Sequence, residues 1–117
     1  MQTHNLSHFV HMLDSRLTEM SQSNHIENSI SKQRDIVYLL DSIKARIEID
    51  RPLDPVKNVK LVSVLKKFLR DFSKCVNDSP HEYDSIFQAQ TSTITSETHK
   101  LIQNLEDDLH TIQTRAA

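Results

Sequence analysis

Three histidines, His4, His8 and His11, carry the spacing in this sequence best suited to metal chemistry. On a helix they share one face, and an i, i+4 histidine pair can chelate a transition metal. That face lies opposite the neighbouring apolar residues, so the rings are expected to point at water. No cysteine joins them, and the nearest acid, Asp14, falls only at the edge of the face. The expectation is a solvated polar face and no native metal. His25, His81, His99 and His110 follow no ligand pattern.

Catalytic groupings are equally sparse. There is no Gly-x-Ser-x-Gly, no His-Glu-x-x-His and no phosphate-cradling loop, and a chain without glycine cannot build the last of these. Asp35, Asp41, Glu48 and Asp50 alternate with Lys32, Arg34, Lys44 and Arg46, the pattern of a solvated helix rather than of an acid/base pair. The lone cysteine, Cys75, sits beside apolar positions and reads as a small buried hydrophobe. No enzyme and no cofactor is expected.

Two surfaces are better suited to binding. Lys60, Lys67, Arg70 and Lys74, flanked by Lys66, fall on one side of a helix, where several cations sum their attraction for phosphates or an anionic membrane. Against nucleic acid and lipid stand a net charge of −2 and the lack of any aromatic residue among the lysines to stack a base. The second surface is Tyr38, Ala45 and Ile49, an apolar strip facing away from the core line of its own helix. Such a strip could anchor a partner helix or a second copy, as a monomer or a homodimer seam.

The elements that hold these residues read as helices throughout. Glycine is absent, and of the 117 residues 37% are hydrophobic and 26% charged. That balance fits helices joined by polar and proline-containing loops in a single domain. Leu6, Phe9, Val10, Leu13, Leu17 and Met20 recur at helical spacing over residues 4–20, with Thr3 or Asn5 as the cap. Asn24 and Glu27 have the form of a capping pair for a helix over 24–50, buried along Ile26, Ile30, Val37, Leu40, Ile43 and Ile47 with Ile36 alongside. Pro52 ends it, and Asp54–Pro55 supplies cap and first position for a helix over 55–76. This third segment gathers Leu61, Leu65, Phe68, Leu69, Phe72 and Val76 on one face and is expected to be the most embedded.

Ser79, Pro80 and Glu82 form a capping box for a helix over 80–114. Its Ser/Thr-rich centre, 91–99, is a poor helix former and makes an interruption near Ser96 the alternative. Against a break, Tyr83, Phe87, Ile94, Leu101, Leu105 and Ile112 hold one angular phase across it. The fold expected is an all-α antiparallel up-down four-helix bundle, frayed at residues 1–4 and 115–117. Residues 52–79 carry six basic and three acidic side chains and residues 80–117 two and six, so neighbouring placement of the third and fourth helices is favourable.

Nothing in the sequence resembles a secretory signal or a membrane span, so a soluble protein in a reducing compartment is expected. The C-terminal run LEDDLHTIQTRAA, with Glu106, Asp107 and Asp108 set about ten residues from the end, resembles the translocation signal of effectors injected by type IVB (Dot/Icm-type) secretion systems. The Ser, Asn, Gln, His and Lys content around plain helices is similar to the small helical effectors of that class. The likeness covers about the last twenty residues, and one glutamate with two aspartates replaces the run of glutamates in its strongest form. It implies a bacterial cytoplasmic protein delivered into a host cell, with a host protein as target. The function expected is thus a non-enzymatic protein-interaction module. A nucleic-acid or anionic-membrane binder and a small dimeric secretion chaperone or regulatory subunit are the alternatives.

Overall fold

A computed structural model describes residues 5–116, with side chains described through residue 112. It is all-α, with helices α1 (Leu6–Ser21), α2 (Ile26–Asp50), α3 (Pro55–Asn77) and α4 (Ser85–Ala116) forming a bundle in which successive helices reverse direction. The caps account for most of the boundaries. Asn5 accepts from the backbone N–H of His8 at 2.9 Å. Asp54 accepts from that of Lys57 at 3.3 Å. Each satisfies a donor that the first turn leaves unpaired. Thr3, the other candidate cap of α1, and the fraying expected at 1–4 and 117 lie outside the described residues.

Two starts differ from expectation. His25, not Asn24, precedes the first turn of α2, and its side chain makes no capping bond. The Ser79–Pro80–Glu82 box does not open α4. The Ser79 hydroxyl accepts from His81 N–H at 3.1 Å within a separate turn, and α4 begins after Asp84, whose carboxylate accepts from Ile86 and Phe87 N–H, both at 2.9 Å. Two adjacent backbone donors on one carboxylate outcompete the single hydroxyl. Tyr83 therefore drops out of the apolar phase of α4 and is 84% exposed.

α4 is one helix, unbroken at Ser96 and continuing through Arg115 to Ala116 rather than ending at 114. Its hydroxyls stay within the helix. Thr93, Thr98 and Thr111 donate to the carbonyls of Ala89, Ile94 and Asp107 at 3.1, 2.7 and 3.0 Å. The weak helix formers thus leave no hydroxyl stranded at these positions. An α-helix rises roughly 1.5 Å per residue. The 32 residues of α4 therefore match the long dimension of the molecule, 51 Å.

α1 packs on α2 and α3, and α4 packs on the same two, so α2 faces α3 across one diagonal and α1 faces α4 across the other. The core runs through Leu13, Leu17, Ile36, Leu40, Ile43, Leu65, Phe68, Phe72, Ile94 and Leu105. α3 does contribute Leu61, Leu65, Phe68 and Phe72, but it is not the most embedded helix, because Leu69, Val76 and Cys75 are half-buried. α2 buries more, including Ser29 and Gln33, two polar residues outside the predicted apolar line, whereas Ile26, Ile30 and Val37 are only half-buried.

Gln33 sits wholly inside the bundle. Its amide nitrogen donates to Thr91 Oγ1 at 2.9 Å and the Phe87 carbonyl at 3.3 Å, and its oxygen accepts from Gln90, which also donates to the Ile30 carbonyl at 3.1 Å. Asn58 makes a second buried lock, donating to the Leu105 carbonyl at 2.9 Å. Across α1 and α2, Glu19 meets Lys32 at 3.0 Å and Arg16 at 2.8 Å, and Arg16 also reaches Asp35 at 3.4 Å.

Gln33→Ala leaves the Gln90 side-chain amide with only its bond to the Ile30 carbonyl and removes the donor to Thr91 Oγ1 in the α2–α4 seam. It is expected to cost about 1–3 kcal/mol in denaturant unfolding, and an unchanged midpoint would contradict the lock. The hydrogen bond from Lys32, with the charges of Arg16 and Lys32, holds the Glu19 carboxyl below its ordinary range. A depressed native value means that the unfolded chain takes up protons first. The contribution of Glu19 is thus full above the ordinary carboxylate pKa and is lost as pH falls through the lower native one. Glu19→Gln is expected to flatten the acid limb of a stability–pH profile; a limb of unchanged steepness would show the pair contributes nothing.

Candidate interaction surfaces

The outward side of α2 presents its apolar strip almost fully to solvent. Tyr38 is 74% and Ile49 73% exposed, and Ala45 between them is also exposed. The predicted strip is thus brought together on one helix face, opposite Ile36, Leu40, Ile43 and Ile47. Asp41 and Glu48 border it, and neither makes a direct ion pair among the described residues.

On the opposite corner, α3 turns its basic residues outward. Lys60, Lys67, Arg70 and Lys74 are all exposed. Lys67 meets Asp71 at 3.3 Å within the same helix, while flanking Lys66 reaches Glu106 of α4 at 3.3 Å. Lys60, Arg70 and Lys74 make no ion pair among the described residues, so most of the basic face is not neutralised by α4. Val56 and Val59, 63% and 53% exposed, continue this face toward the start of α3. The sequence does not mark them, because two valines near the start of a helix carry no periodic signal of exposure.

The acidic block is tied into the fold. Arg51, in the α2–α3 connector, grips Asp108 with two parallel bonds, Nε to Oδ2 at 2.9 Å and Nη2 to Oδ1 at 2.7 Å. Bidentate pairs of this kind are the strong form of the arginine–carboxylate contact. The bond, then the Asp108 charge, raises the pKa of the Arg51 guanidinium, which is ionised at any working pH. Glu106 is taken by Lys66, and Asp107 accepts from Gln103 at 2.9 Å.

Little else converges. An open cleft of about 790 Å³ lies between the first turns of α1 and α3 and the end of α2, bordered by Leu6, Val10, Leu53 and Leu61. Its acids have structural partners, Asp50 pairing with Arg46 at 3.0 Å and Asp54 capping α3. A shallower groove of about 470 Å³ follows the α3–α4 seam past Arg70 and His99. His8 and His11 are exposed on α1, His4 lies outside the described residues, and among the described residues no three His, Cys, Asp or Glu side chains gather as metal ligands. Burial, then the nearby Asp78 charge, pushes the Cys75 thiol above its ordinary value, opposite to the shift that activates a nucleophilic cysteine. Among the described residues no helix is long and apolar enough to cross a membrane.

The chain matches no protein family, curated protein or solved structure. Replacing Arg51 by alanine releases Asp108, and amide hydrogen exchange in residues 105–112 is expected to speed up while α1 and the centre of α2 keep their protection. Unchanged exchange there would show that the acidic turns are held by packing alone.

Proposed function

We propose that this chain is a non-enzymatic helical interaction module that docks on another protein through the outward strip of α2. The observation that carries the reading is the pairing of a tyrosine and an isoleucine, each about three-quarters exposed, on one straight face with alanine between them. A flat aromatic and aliphatic surface of this kind gains its binding energy by shedding water against a complementary helix or groove. Catalysis draws no comparable support, since the acids nearest the larger cleft are committed to structural partners.

A bacterial effector translocated into a host cell is the specific form of this reading, and it rests on the C-terminal resemblance. The acidic residues of that segment are engaged by Lys66, Gln103 and Arg51. A transport apparatus that reads them as an extended tail would first have to free the last turns of α4. The basic face of α3 favours the second reading, an anionic partner such as nucleic acid or a membrane surface, because three of its cations have no ion-pair partner among the described residues.

A pull-down from eukaryotic cell lysate separates the two. The Tyr38→Ala, Ile49→Ala variant, checked for full helicity by circular dichroism, is expected to lose the captured protein, and Lys67→Glu, Arg70→Glu to keep it. Capture that survives the first pair of changes and disappears with the second, or with moderate salt, would overturn docking through α2 in favour of the anionic partner.

A further inference from the structure

The exposed faces of α2 and α3 are complementary to each other, yet the fold keeps them on opposite corners of the same molecule. We infer that the occupant of the α2 strip is the α3 face of a second copy of this chain, in a head-to-tail association. The inference rests on the reading of α2 as a docking surface and names its partner.

At roughly 100° per residue, Tyr38, Asp41, Ala45 and Glu48 fall within about 80° of one another on α2, as do Lys60, Ser63, Lys67 and Arg70 on α3. All eight are exposed. On both helices the residues step by three and four, the spacing at which two helices mesh along a seam. Laid antiparallel, the two faces match in one register. Glu48 meets Lys60, Asp41 meets Lys67, and small Ala45 meets small Ser63, which lets the backbones approach. Tyr38 meets Arg70, a guanidinium placed to lie on an aromatic ring. Ile49 comes level with exposed Val59, and exposed Val56 falls three residues further along, just past the end of α2. One like-charge pair, Arg34 with Lys74, opposes the match at the far end, and Lys67 must exchange its contact with Asp71.

The diagonal placement fixes the type of assembly. A copy docked through its α3 face leaves its own α2 strip pointing away from the contact, so the interaction cannot close into a two-fold dimer and adds copies in a row. α2 and α3 run in opposite directions within a chain. Antiparallel docking therefore leaves every copy in the row pointing the same way. A contact one helix wide, rich in exposed charge, is at the weak end of protein interfaces and is sensitive to salt.

Sedimentation velocity from micromolar to millimolar protein at low ionic strength tests this directly. The wild type is expected to grow progressively past dimer and to revert toward monomer in high salt. Asp41→Lys alone and Lys67→Glu alone each set like charges opposite one another and are expected to stay monomeric with unchanged circular dichroism. An equimolar mixture of the two restores both contacts as Lys–Glu and Asp–Lys pairs, and is expected to associate again as far as the wild type does. The double variant within one chain is expected to do the same. A wild type that remains monomeric at millimolar concentration, that stops at dimer, or whose single variants associate undiminished would overturn the proposal. A monomeric wild type whose captured lysate protein is still lost on Tyr38→Ala, Ile49→Ala would overturn self-association alone, whereas loss of neither property in that variant overturns docking through α2 as well.

Discussion

The side-chain amide of Gln33 governs how this bundle is put together. Burying an amide without partners costs a few kcal/mol, roughly what a core leucine contributes, so α2 can turn Gln33 inward only where every one of its groups is met. The N-terminal half of α4 supplies the partners, through Thr91, Gln90 and the Phe87 carbonyl, and it does so in one register. With α2 fixed against a parallel α4, α3 closes on the far side of α4, where the buried Asn58 amide nitrogen donates to the Leu105 carbonyl while its Oδ1 has no hydrogen-bond partner. Apolar stripes alone would tolerate several helix orders. The two buried amides select one.

That order produces the surface. α2 and α3 are consecutive in sequence, joined by a short connector, yet they stand at opposite corners and their backbones make no close approach. Each keeps one full side free. On α2 that side is apolar with acidic borders, and on α3 it is basic with two exposed valines. Between them, Arg51 ties the connector to Asp108, so the acidic turns of α4 serve as a brace for the corner as well as a charged surface.

Much of this is legible in the sequence, and for physical reasons. Leu61, Leu65, Phe68 and Phe72 declare the buried side of α3 because an apolar residue every three or four positions has only one face to occupy. Pro52 and the Asp54–Pro55 pair mark a stop and a start because proline forbids one backbone geometry and favours another. The continuity of α4 is legible in the constant phase from Phe87 to Leu105, which outweighs its threonines. Gln33 and Asn58 are not legible, since an amide at a core position reads as a polar residue until its partner from another helix is known. The order of the helices is hidden for the same reason. The start of α4 is misread from the sequence because Ser79–Pro80–Glu82 has the full form of a capping box, and only the folded turn after it shows that Asp84 meets two donors. The Tyr38 strip is visible as an exception to the pattern, while Val56 and Val59 are too isolated to form one.

A nuclear Overhauser spectrum of the isotope-labelled protein tests the arrangement most directly, read at the two buried side-chain amides. The Gln33 amide protons are predicted to exchange slowly with water and to show cross-peaks to Thr91 and Gln90, with those of Asn58 linked to Leu105. If the Gln33 protons exchange freely, or show cross-peaks to α3 in place of Thr91 and Gln90, the helices are ordered differently around the core and the opposed faces of α2 and α3 do not exist as described.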